Sequence, residues 1–542
     1  MGEIVSSVGV ASPTSSALLI AVACLALAGC GGAGAGEGAA SDDYDVIVVG
    51  AGMGGLSAAT HLAAGGMRVL VLEQHDEVGG LASSFERAGF VFDTALHEMS
   101  IGSGEGSPGA ILEECGVAGK IELLRVPRLY RAVYPDMEFE IHADADTALA
   151  DLCRQWPGEC DNIHAFYAEM TQVHEEVAEL RTLYRAAPFA VKLALLLAPL
   201  RQPTVFRYRE ATVEELLDEH FDDPELKRAL GSFWPYYGPP PSRLFAPMYM
   251  LATHTYMAYG AYQIKGTAQA LSDAYRERIE ELGGQVRTST LVVSIDVADE
   301  RVAGVTTAAG ERLTSRYVVS NADPYQTYLE LVGEPHVPDD VVEQLGSLEP
   351  ASSVVGVYLG LDVEPSFFGV DDYEIIRFAD TDADRMNRAM LEGRWRDGWV
   401  TITYYSNLDP ESYAPPGKSV VVLNAYSDYD WWPDDPAEYE AVKRDMMDQL
   451  IDLAAHELPG LREHIEVEIG MTPRTVAQYT LQHRGVPYGF ASTPEQPMRV
   501  STKTPIDGLY LAGSWTFPFH GVSMAQVSGY KAAQLILDEE RD

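Results

Sequence analysis

The sequence predicts an α/β protein in which a discontinuous dinucleotide-binding domain of the Rossmann type is interrupted by a second, α+β domain. Three observations predict this class. A β run, a glycine turn and a helical pattern open the folded part of the chain at 44–66. Segments of the same kind return in the middle and at the end of the chain, and a long stretch of mostly helical pattern, 101–255, precedes the middle one. With 542 residues the chain is also too long for one ordinary core.

The first 43 residues are expected to precede the folded domains. Residues 17–29 are an apolar run that is short for a membrane span but suits the core of a signal peptide. The run ends in "LAGC", which resembles a bacterial lipoprotein processing site. Residues 1–30 are therefore expected to be a signal peptide, with Cys30 acylated to hold the protein at the cell envelope and 31–43 as a flexible linker. No Lys or Arg occurs before Arg68, so a different start or an uncleaved anchor stays open.

Three cysteines lie beyond this leader. Cys115, Cys153 and Cys160 include no Cys-x-x-Cys pair, so no metal site is expected from them. Cys153 and Cys160 flank a short segment with a Trp-Pro-Gly turn. In an exported protein they would suit a local disulfide, and two unpaired buried thiols are the alternative.

The charge balance limits the partners. Asp and Glu number 81 against 38 Lys and Arg, a formal net charge of −43. Such a surface repels phosphate backbones, so nucleic acid is not expected as a partner. A well-solvated surface explains the excess, and adaptation to high salt is the alternative.

The strongest motif is a phosphate-binding turn. Gly50, Gly52 and Gly55 form G-x-G-x-x-G between the strand "YDVIVV" and a helix, with Gly54 beside them. The first glycine allows the tight turn, the second lets backbone approach a pyrophosphate, and the third permits close helix–strand packing. The next strand ends in Glu73, at the distance expected for a carboxylate that accepts ribose hydroxyls, followed by Gln74.

Both NAD and FAD use this turn, and two later segments favour FAD. Gly79 and Gly80, followed by Leu81, let backbone run close to a second phosphate contact. Near the C-terminus Gly513 ends a strand, and a helix begins after Gly521 at about Val522. In flavoproteins such a helix end directs its positive dipole at the flavin. Val292, on a mid-chain strand, completes the expected coenzyme contacts.

These segments together resemble the FAD-dependent phytoene desaturase superfamily, which includes amine-oxidase-like enzymes. Four motifs resemble its retinol saturase and carotenoid isomerase branch: "GFVFDTALHEM", "YYGPPPSRLF…KGTAQA", "VVSNADPYQTYLELVG" and "MTPRTVAQYTLQHRGVPYGF". The resemblance runs from Tyr44 onward. The chain departs from it at Ala95 and Phe519, where glycine is usual, and at "KGT" in place of Gly-Gly.

The resemblance implies a division of the chain. The FAD-binding domain is expected to comprise 44–100, 260–335 and 486–542, and the substrate domain 101–259 and 336–485. The apolar stretch 185–203 is expected to be a buried helix or, alternatively, a surface helix that dips into lipid. Aromatic residues in "SFWPYYG" and "MYMLATHTYMAYGAY" suit core or a pocket for a long apolar molecule.

The expected activity is that of an FAD-dependent oxidoreductase that saturates or desaturates C–C bonds of an apolar, isoprenoid-like or lipid substrate, with an unidentified electron partner. His97 and Tyr488 are the candidate proton donors, because the family places both motifs near the flavin. The alternatives are a carotenoid cis–trans isomerase, an amine-oxidase-type enzyme and a non-catalytic flavin-bearing lipid carrier.

Overall fold

The structure is a computed structural model that describes residues 43–182, 198–497 and 499–541. The expected signal peptide, acylated Cys30 and nearly all of the linker lie outside these ranges, as does most of the apolar stretch 185–203. In the described part, no helix is both long and apolar enough to cross a bilayer.

Two seven-stranded sheets organise the described residues. Along the chain the strands are β1 (Tyr44–Val49), β2 (Val69–Leu72), β3 (Ser84–Arg87), β4 (Phe90–Asp93), β5 (Leu123–Val126), β6 (Arg128–Val133), β7 (Glu138–His142), β8 (Ala261–Ile264), β9 (Gln285–Arg287), β10 (Val292–Ala298), β11 (Arg301–Thr307), β12 (Arg312–Ser320), β13 (Ser353–Leu361), β14 (Glu374–Phe378), β15 (Trp399–Thr403), β16 (Ser419–Ser427), β17 (Ile465–Met471) and β18 (Leu509–Leu511).

The α-helices lie mainly between these strands. They are α1 (Met53–Ala64), α2 (Pro108–Glu114), α3 (Ala145–Gln155), α4 (Cys160–Thr182), α5 (Ala198–Arg201), α6 (Pro203–Arg207), α7 (Val213–His220), α8 (Pro224–Gly231), α9 (Ala246–Tyr259), α10 (Ala268–Glu281), α11 (Asp339–Ser347), α12 (Ala383–Leu391), α13 (Pro410–Tyr413), α14 (Pro436–Ala454), α15 (Pro473–Thr480) and α16 (Val522–Glu539). A π-helix covers Gln326–Gly333.

The first sheet has the order β10-β11-β12-β1-β2-β9, and β18 pairs with β12. Its centre is parallel, because β1 runs parallel to β2 and β12, and β18 runs parallel to β12. The last four residues of β1, 46–49, are an unbroken buried apolar run because central parallel strands are covered on both faces. Helices α1 and α16 pack so closely that a Cβ added at Gly529 would meet the Gly54 carbonyl oxygen at 2.0 Å. This brings the start and the end of the chain together.

The second sheet has the order β17-β13-β16-β15-β14-β6-β7. It is antiparallel except where β6 pairs with β14. The expectation of a mostly helical region at 101–255 was wrong for Leu123–His142, which holds β5, β6 and β7. These strands are short, and their partners β8 and β14 lie more than a hundred residues further on, so the local pattern carried little signal. The predicted α/β class, with a Rossmann-type domain and a second α+β domain, is confirmed.

Cys153 and Cys160 form a disulfide, which decides between the two expectations for them. It joins the end of α3 to the start of α4. Cys115 is buried with a free thiol.

Candidate active site

One cavity of about 880 Å³ runs from the glycine turn after β1 into the second sheet's domain. Its wall includes all but one of the residues predicted from the sequence as site residues. They are Gly50, Gly52, Gly54, Glu73, Gln74, Gly79, Gly80, Leu81, His97, Val292, Tyr488, Gly513, Gly521 and Val522. The fifteenth, Gly55, lies behind the wall.

The glycine turn is a cradle that side chains would fill. A Cβ added at Gly52 would come within 2.5 Å of Asn321 Nδ2. A Cβ at Gly54 would meet both Asn321 Oδ1 and the Gly513 nitrogen at 2.6 Å. The turn therefore brings bare backbone and the start of α1 to the cavity, as phosphate binding requires.

Gly55 does not line the cavity but allows the turn and α1 to pack closely. A Cβ there would approach the Gly50 carbonyl oxygen to 2.1 Å, so only glycine allows the turn to close onto α1. The Gly55 N–H donates to Asn321 Oδ1 at 3.0 Å. Asn321 thus fixes the turn from the end of β12. It belongs to the "VVSNA" motif, but its role in the site was missed because no local feature separates it from an ordinary strand end.

Glu73 is buried at the end of β2. Its Oε2 accepts from the Ala51 N–H at 2.7 Å and its Oε1 from the His75 N–H at 2.9 Å. Burial raises the pKa of Glu73, and the backbone donors oppose this rise. Gln74 donates from Nε2 to the Tyr479 carbonyl at 2.6 Å, which ties this loop to α15.

The glycine segments around Gly79 and Gly513 both contact the turn at 50–55. The Gly79 N–H donates to the Ala51 carbonyl at 2.8 Å, and both Gly79 and Gly80 have positive φ. Gly521, with φ of +87°, directly precedes α16, whose first residues line the cavity. Phe519 also lines the cavity and packs against the core of the second domain.

A dinucleotide coenzyme fits these residues. Bare backbone at the turn, the N-terminal ends of α1 and α16, and the buried Glu73 together offer N–H groups to phosphates and a carboxylate to a ribose.

His97 lines the cavity where it borders the second sheet, and both of its ring nitrogens are hydrogen-bonded. The Asn424 amide lies 3.0 Å from Nε2, so Nδ1 carries the proton of the neutral ring. Nδ1 lies 2.6 Å from the Tyr236 hydroxyl and 2.9 Å from Thr403 Oγ1.

Both of these hydroxyls continue to Glu374. The Tyr236 hydroxyl donates to Oε1 at 2.5 Å, and Thr403 Oγ1 donates to Oε2 at 2.7 Å. Burial, and secondly Glu374, raise the pKa of Tyr236 well above its ordinary value. Tyr236, Thr403, Asn424 and Glu374 were not among the predicted site residues, because they come from three strands and a loop that only the tertiary structure brings together.

Tyr488 lines the same cavity as His97, and the part of the cavity around these two residues is called the chamber below. Its ring lies 4.7 Å from the ring of His520, and burial raises its pKa. Arg499 lies 3.1 Å from His520 Nδ1 and donates to the Tyr488 carbonyl. The chamber wall between His97 and Tyr488 is largely aromatic, with Tyr237, Tyr256, Trp399 and Tyr426.

Comparison with known proteins agrees with this geometry. The family described as "Flavin containing amine oxidoreductase" matches residues 53–537. A chloroplastic prolycopene isomerase of Arabidopsis thaliana is 26% identical over 516 residues, 91% of this chain and 82% of that protein. An all-trans-retinol 13,14-reductase of Rattus norvegicus is 26% identical over 508 residues, 87% of this chain and 82% of that protein.

Solved structures share the fold. An oxidoreductase from Methanosarcina mazei superposes with a TM-score of 0.60 at 16% identity, covering 90% of this chain and all (100%) of that one. A putrescine oxidase variant gives 0.61 at 16% identity, covering 92% and 99%. The family match confirms the predicted flavin coenzyme, FAD.

Proposed function

The chain belongs to the family of flavin-containing amine oxidoreductases, and from this premise we propose that it saturates or desaturates C–C double bonds of an apolar, isoprenoid-like substrate. One observation carries the proposal: the cavity that begins at the glycine turn ends in a buried aromatic chamber. An apolar polyene gains affinity there from burial alone, at about 25 cal/mol per Å² of apolar surface.

FAD supplies the transfer of a hydride at carbon when it is bound. The chain's residues hold and orient the reactants. We propose that the glycine turn and Glu73 hold the coenzyme, together with Gln74, Leu81, Val292 and the residues around Gly79, Gly513 and Gly521. The aromatic rings exclude water from the reacting carbons.

Of the two predicted proton donors, we propose Tyr488 as a residue that contacts the substrate and His97 as a positioning residue. Tyr488 lies on the chamber wall, where a bound substrate would lie beside it. His97 donates a hydrogen bond from Nδ1 and accepts one on Nε2, in both cases with protein groups. A ring held in this way suits a role in positioning its neighbours.

The similarity to prolycopene isomerase supports the isomerase alternative, because the sequence identity of 26% is the same as that to the retinol reductase. A polyene that is isomerised keeps its mass, whereas saturation adds two hydrogens and desaturation removes two. An amine-oxidase-type reaction would instead release hydrogen peroxide from an amine.

The test uses purified full-length protein with its FAD. The enzyme is reduced with dithionite under argon and mixed with all-trans-retinol or a cis-carotene, and products are analysed by mass spectrometry. A product two hydrogens heavier supports saturation. A product of unchanged mass and altered retention establishes isomerisation and contradicts saturation. The amine-oxidase alternative is tested separately with oxidised enzyme and amines in air-saturated buffer, and hydrogen peroxide formed there contradicts both.

We also propose that the protein is anchored through acylated Cys30 at the bacterial cell envelope. An apolar substrate would be available to it there. The "LAGC" sequence supports this. Radiolabelled palmitate should be incorporated into the wild type and not into Cys30→Ser expressed in a bacterial host. Equal labelling of both proteins would contradict the anchor.

A further inference from the structure

Glu98 follows His97 in the loop after β4 and lies on the chamber wall. Its side chain is buried, with only 7% exposed, and its Oε2 has no hydrogen-bond partner among the described residues. A buried carboxyl oxygen without a donor is costly as an anion, because nothing replaces the water it has lost. No local sequence feature distinguishes Glu98 from the neighbouring loop residues.

A second carboxyl group lies beside it. Ligand atoms of His97, Glu98 and Glu374 all fall within 4.8 Å of one another. Glu374 accepts a hydroxyl hydrogen bond on each oxygen, from Tyr236 and Thr403, which is the pattern of a carboxylate. Two carboxylates this close inside a protein do not both stay ionised, so the proton resides on Glu98.

The surroundings agree with this assignment. Burial, and secondly the charge of Glu374, raise the pKa of Glu98 well above its ordinary value. Besides Glu374, the titratable groups beside Glu98 include His97 and five tyrosines. The pKa of each tyrosine is raised, and the five are Tyr236, Tyr237, Tyr256, Tyr373 and Tyr488.

We propose that Glu98 is a neutral carboxylic acid that faces the substrate chamber and is the proton donor for double-bond saturation, an inference that rests on the proposed function. Glu98 gives its proton to the carbon next to the one that receives the hydride. The carboxyl O–H bond breaks, a C–H bond forms, the C=C π bond is lost and Glu98 remains as a carboxylate. FAD, when bound and reduced, would supply the hydride that forms the second C–H bond and carries the two electrons. Dithionite reduces the flavin again in the assay, and Glu98 regains its proton from water.

The same three side chains could in principle hold a divalent cation. The hydroxyl donors on both oxygens of Glu374 and the engaged ring nitrogens of His97 argue for a proton instead, since a cation would have to displace them.

Infrared spectroscopy tests the protonation state without any turnover. Wild-type holoenzyme at pH 8, where Asp93 and Asp323 with raised pKa values of about 6 are ionised, should show the C=O band of a protonated carboxyl group that shifts in D₂O. The band should be missing in Glu98→Gln and retained in Glu98→Asp. The matched control is Glu86→Gln, which removes an exposed glutamate from the cavity rim and should keep the band. A band absent from the wild type, or present in Glu98→Gln, overturns the proposal.

Turnover then tests the donor role. Glu98→Gln should bind FAD in the same molar ratio to protein as the wild type does. It should saturate substrate at least about 100-fold more slowly, because general acid catalysis typically contributes a factor of this size. Full activity in Glu98→Gln overturns the proposal, as does a stoichiometric divalent metal lost with that substitution. If the wild type saturates nothing, the proposed function fails and the donor role with it. The infrared band still reports whether Glu98 is protonated, so the two failures are distinguishable.

Discussion

Gly54 lies where α1, Asn321 and the segment around Gly513 come into contact. A Cβ at Gly54 would stand 2.6 Å from the Gly513 nitrogen, and backbone cannot yield as a flexible side chain does. We expect Gly54→Ala to lower the free energy of unfolding by roughly 1–3 kcal/mol, as overpacking does, and to weaken FAD binding because the cradle opens. Urea unfolding and titration of apoprotein with FAD measure the two effects.

Gly119 offers the matched control. A Cβ there meets no atom within 4 Å, and its φ is not positive. Gly119→Ala should therefore unfold and bind FAD like the wild type. Equal FAD affinity in Gly54→Ala and Gly119→Ala would show that the close approach at Gly54 does not shape the coenzyme site.

The residues predicted from the sequence are those whose role is visible locally. Gly50, Gly52 and Glu73 occupy fixed offsets from a strand and a helix, so their spacing indicates the site. Asn321 acts through Gly55, 266 positions away, and Glu374 acts through Tyr236, 138 positions away. The sequence around each of them resembles that of an ordinary strand. Glu98 depends on Glu374 and was missed for the same reason.

At the scale of elements, Asp323 joins the π-helix Gln326–Gly333 to the loop after α15. Its Oδ1 accepts from the Gln326 N–H at 2.9 Å and its Oδ2 from the His483 N–H at 2.7 Å. Burial raises the pKa of Asp323 from 3.8 to about 6. Between these values the folded protein keeps a proton that the unfolded chain has released, so stability falls as the pH rises.

We expect the difference in unfolding free energy between the wild type and Asp323→Asn to fall by about 2 kcal/mol from pH 4 to pH 6.5. Asp93, which has a similarly raised pKa of about 6, is present in both proteins and cancels. Urea unfolding across this pH range measures the difference. The exposed Asp434→Asn should give a curve parallel to the wild type, and a parallel curve for Asp323→Asn would contradict the prediction.

The Cys153–Cys160 disulfide closes a short loop between α3 and α4, with a sequence separation of 7. A loop of this length restricts the unfolded chain enough to stabilise the fold by about 2 kcal/mol. Cys153→Ser/Cys160→Ser should lower the free energy of unfolding by that amount. Wild type treated with dithiothreitol should match the double variant, and a difference between them would show that the serines act in some other way.

The helices and strands that the sequence predicted are those whose hydrophobic pattern is complete within their own residues. β1, α1, α10 and α16 follow from apolar runs or helical spacing bounded by glycines, because each is formed mainly by its own residues. β6 is different, since its place at 128–133 depends on pairing with β14 at 374–378. Long-range pairing of this kind leaves little trace in a short window, which is why the second sheet's edge was read as helical.

At the scale of the whole molecule, the acidic surface should make stability depend on salt. Many ion pairs lie on the surface, but exposed pairs contribute little each, whereas acidic groups exceed basic ones by 43. Their mutual repulsion destabilises the compact state, and 1 M salt shortens the screening length to about 3 Å from about 30 Å at 0.01 M. We expect KCl to raise the free energy of unfolding of the holoenzyme at pH 7.5 by on the order of 1 kcal/mol, the energy of one close charge pair in water.

The control for this salt effect is the same protein near its isoelectric point of about 4.5, where the net charge that salt must screen has vanished. Urea midpoints measured at 0.01, 0.1 and 1 M KCl should rise at pH 7.5 and stay level or fall at pH 4.5, because there only attractive pairs are left to be screened. An equal rise at both pH values would mean that KCl acts by strengthening apolar burial, and a fall at pH 7.5 would mean that the surface ion pairs outweigh the repulsion. Only a rise confined to pH 7.5 assigns the effect to the acidic excess, and it would favour adaptation to high salt over a merely well-solvated surface.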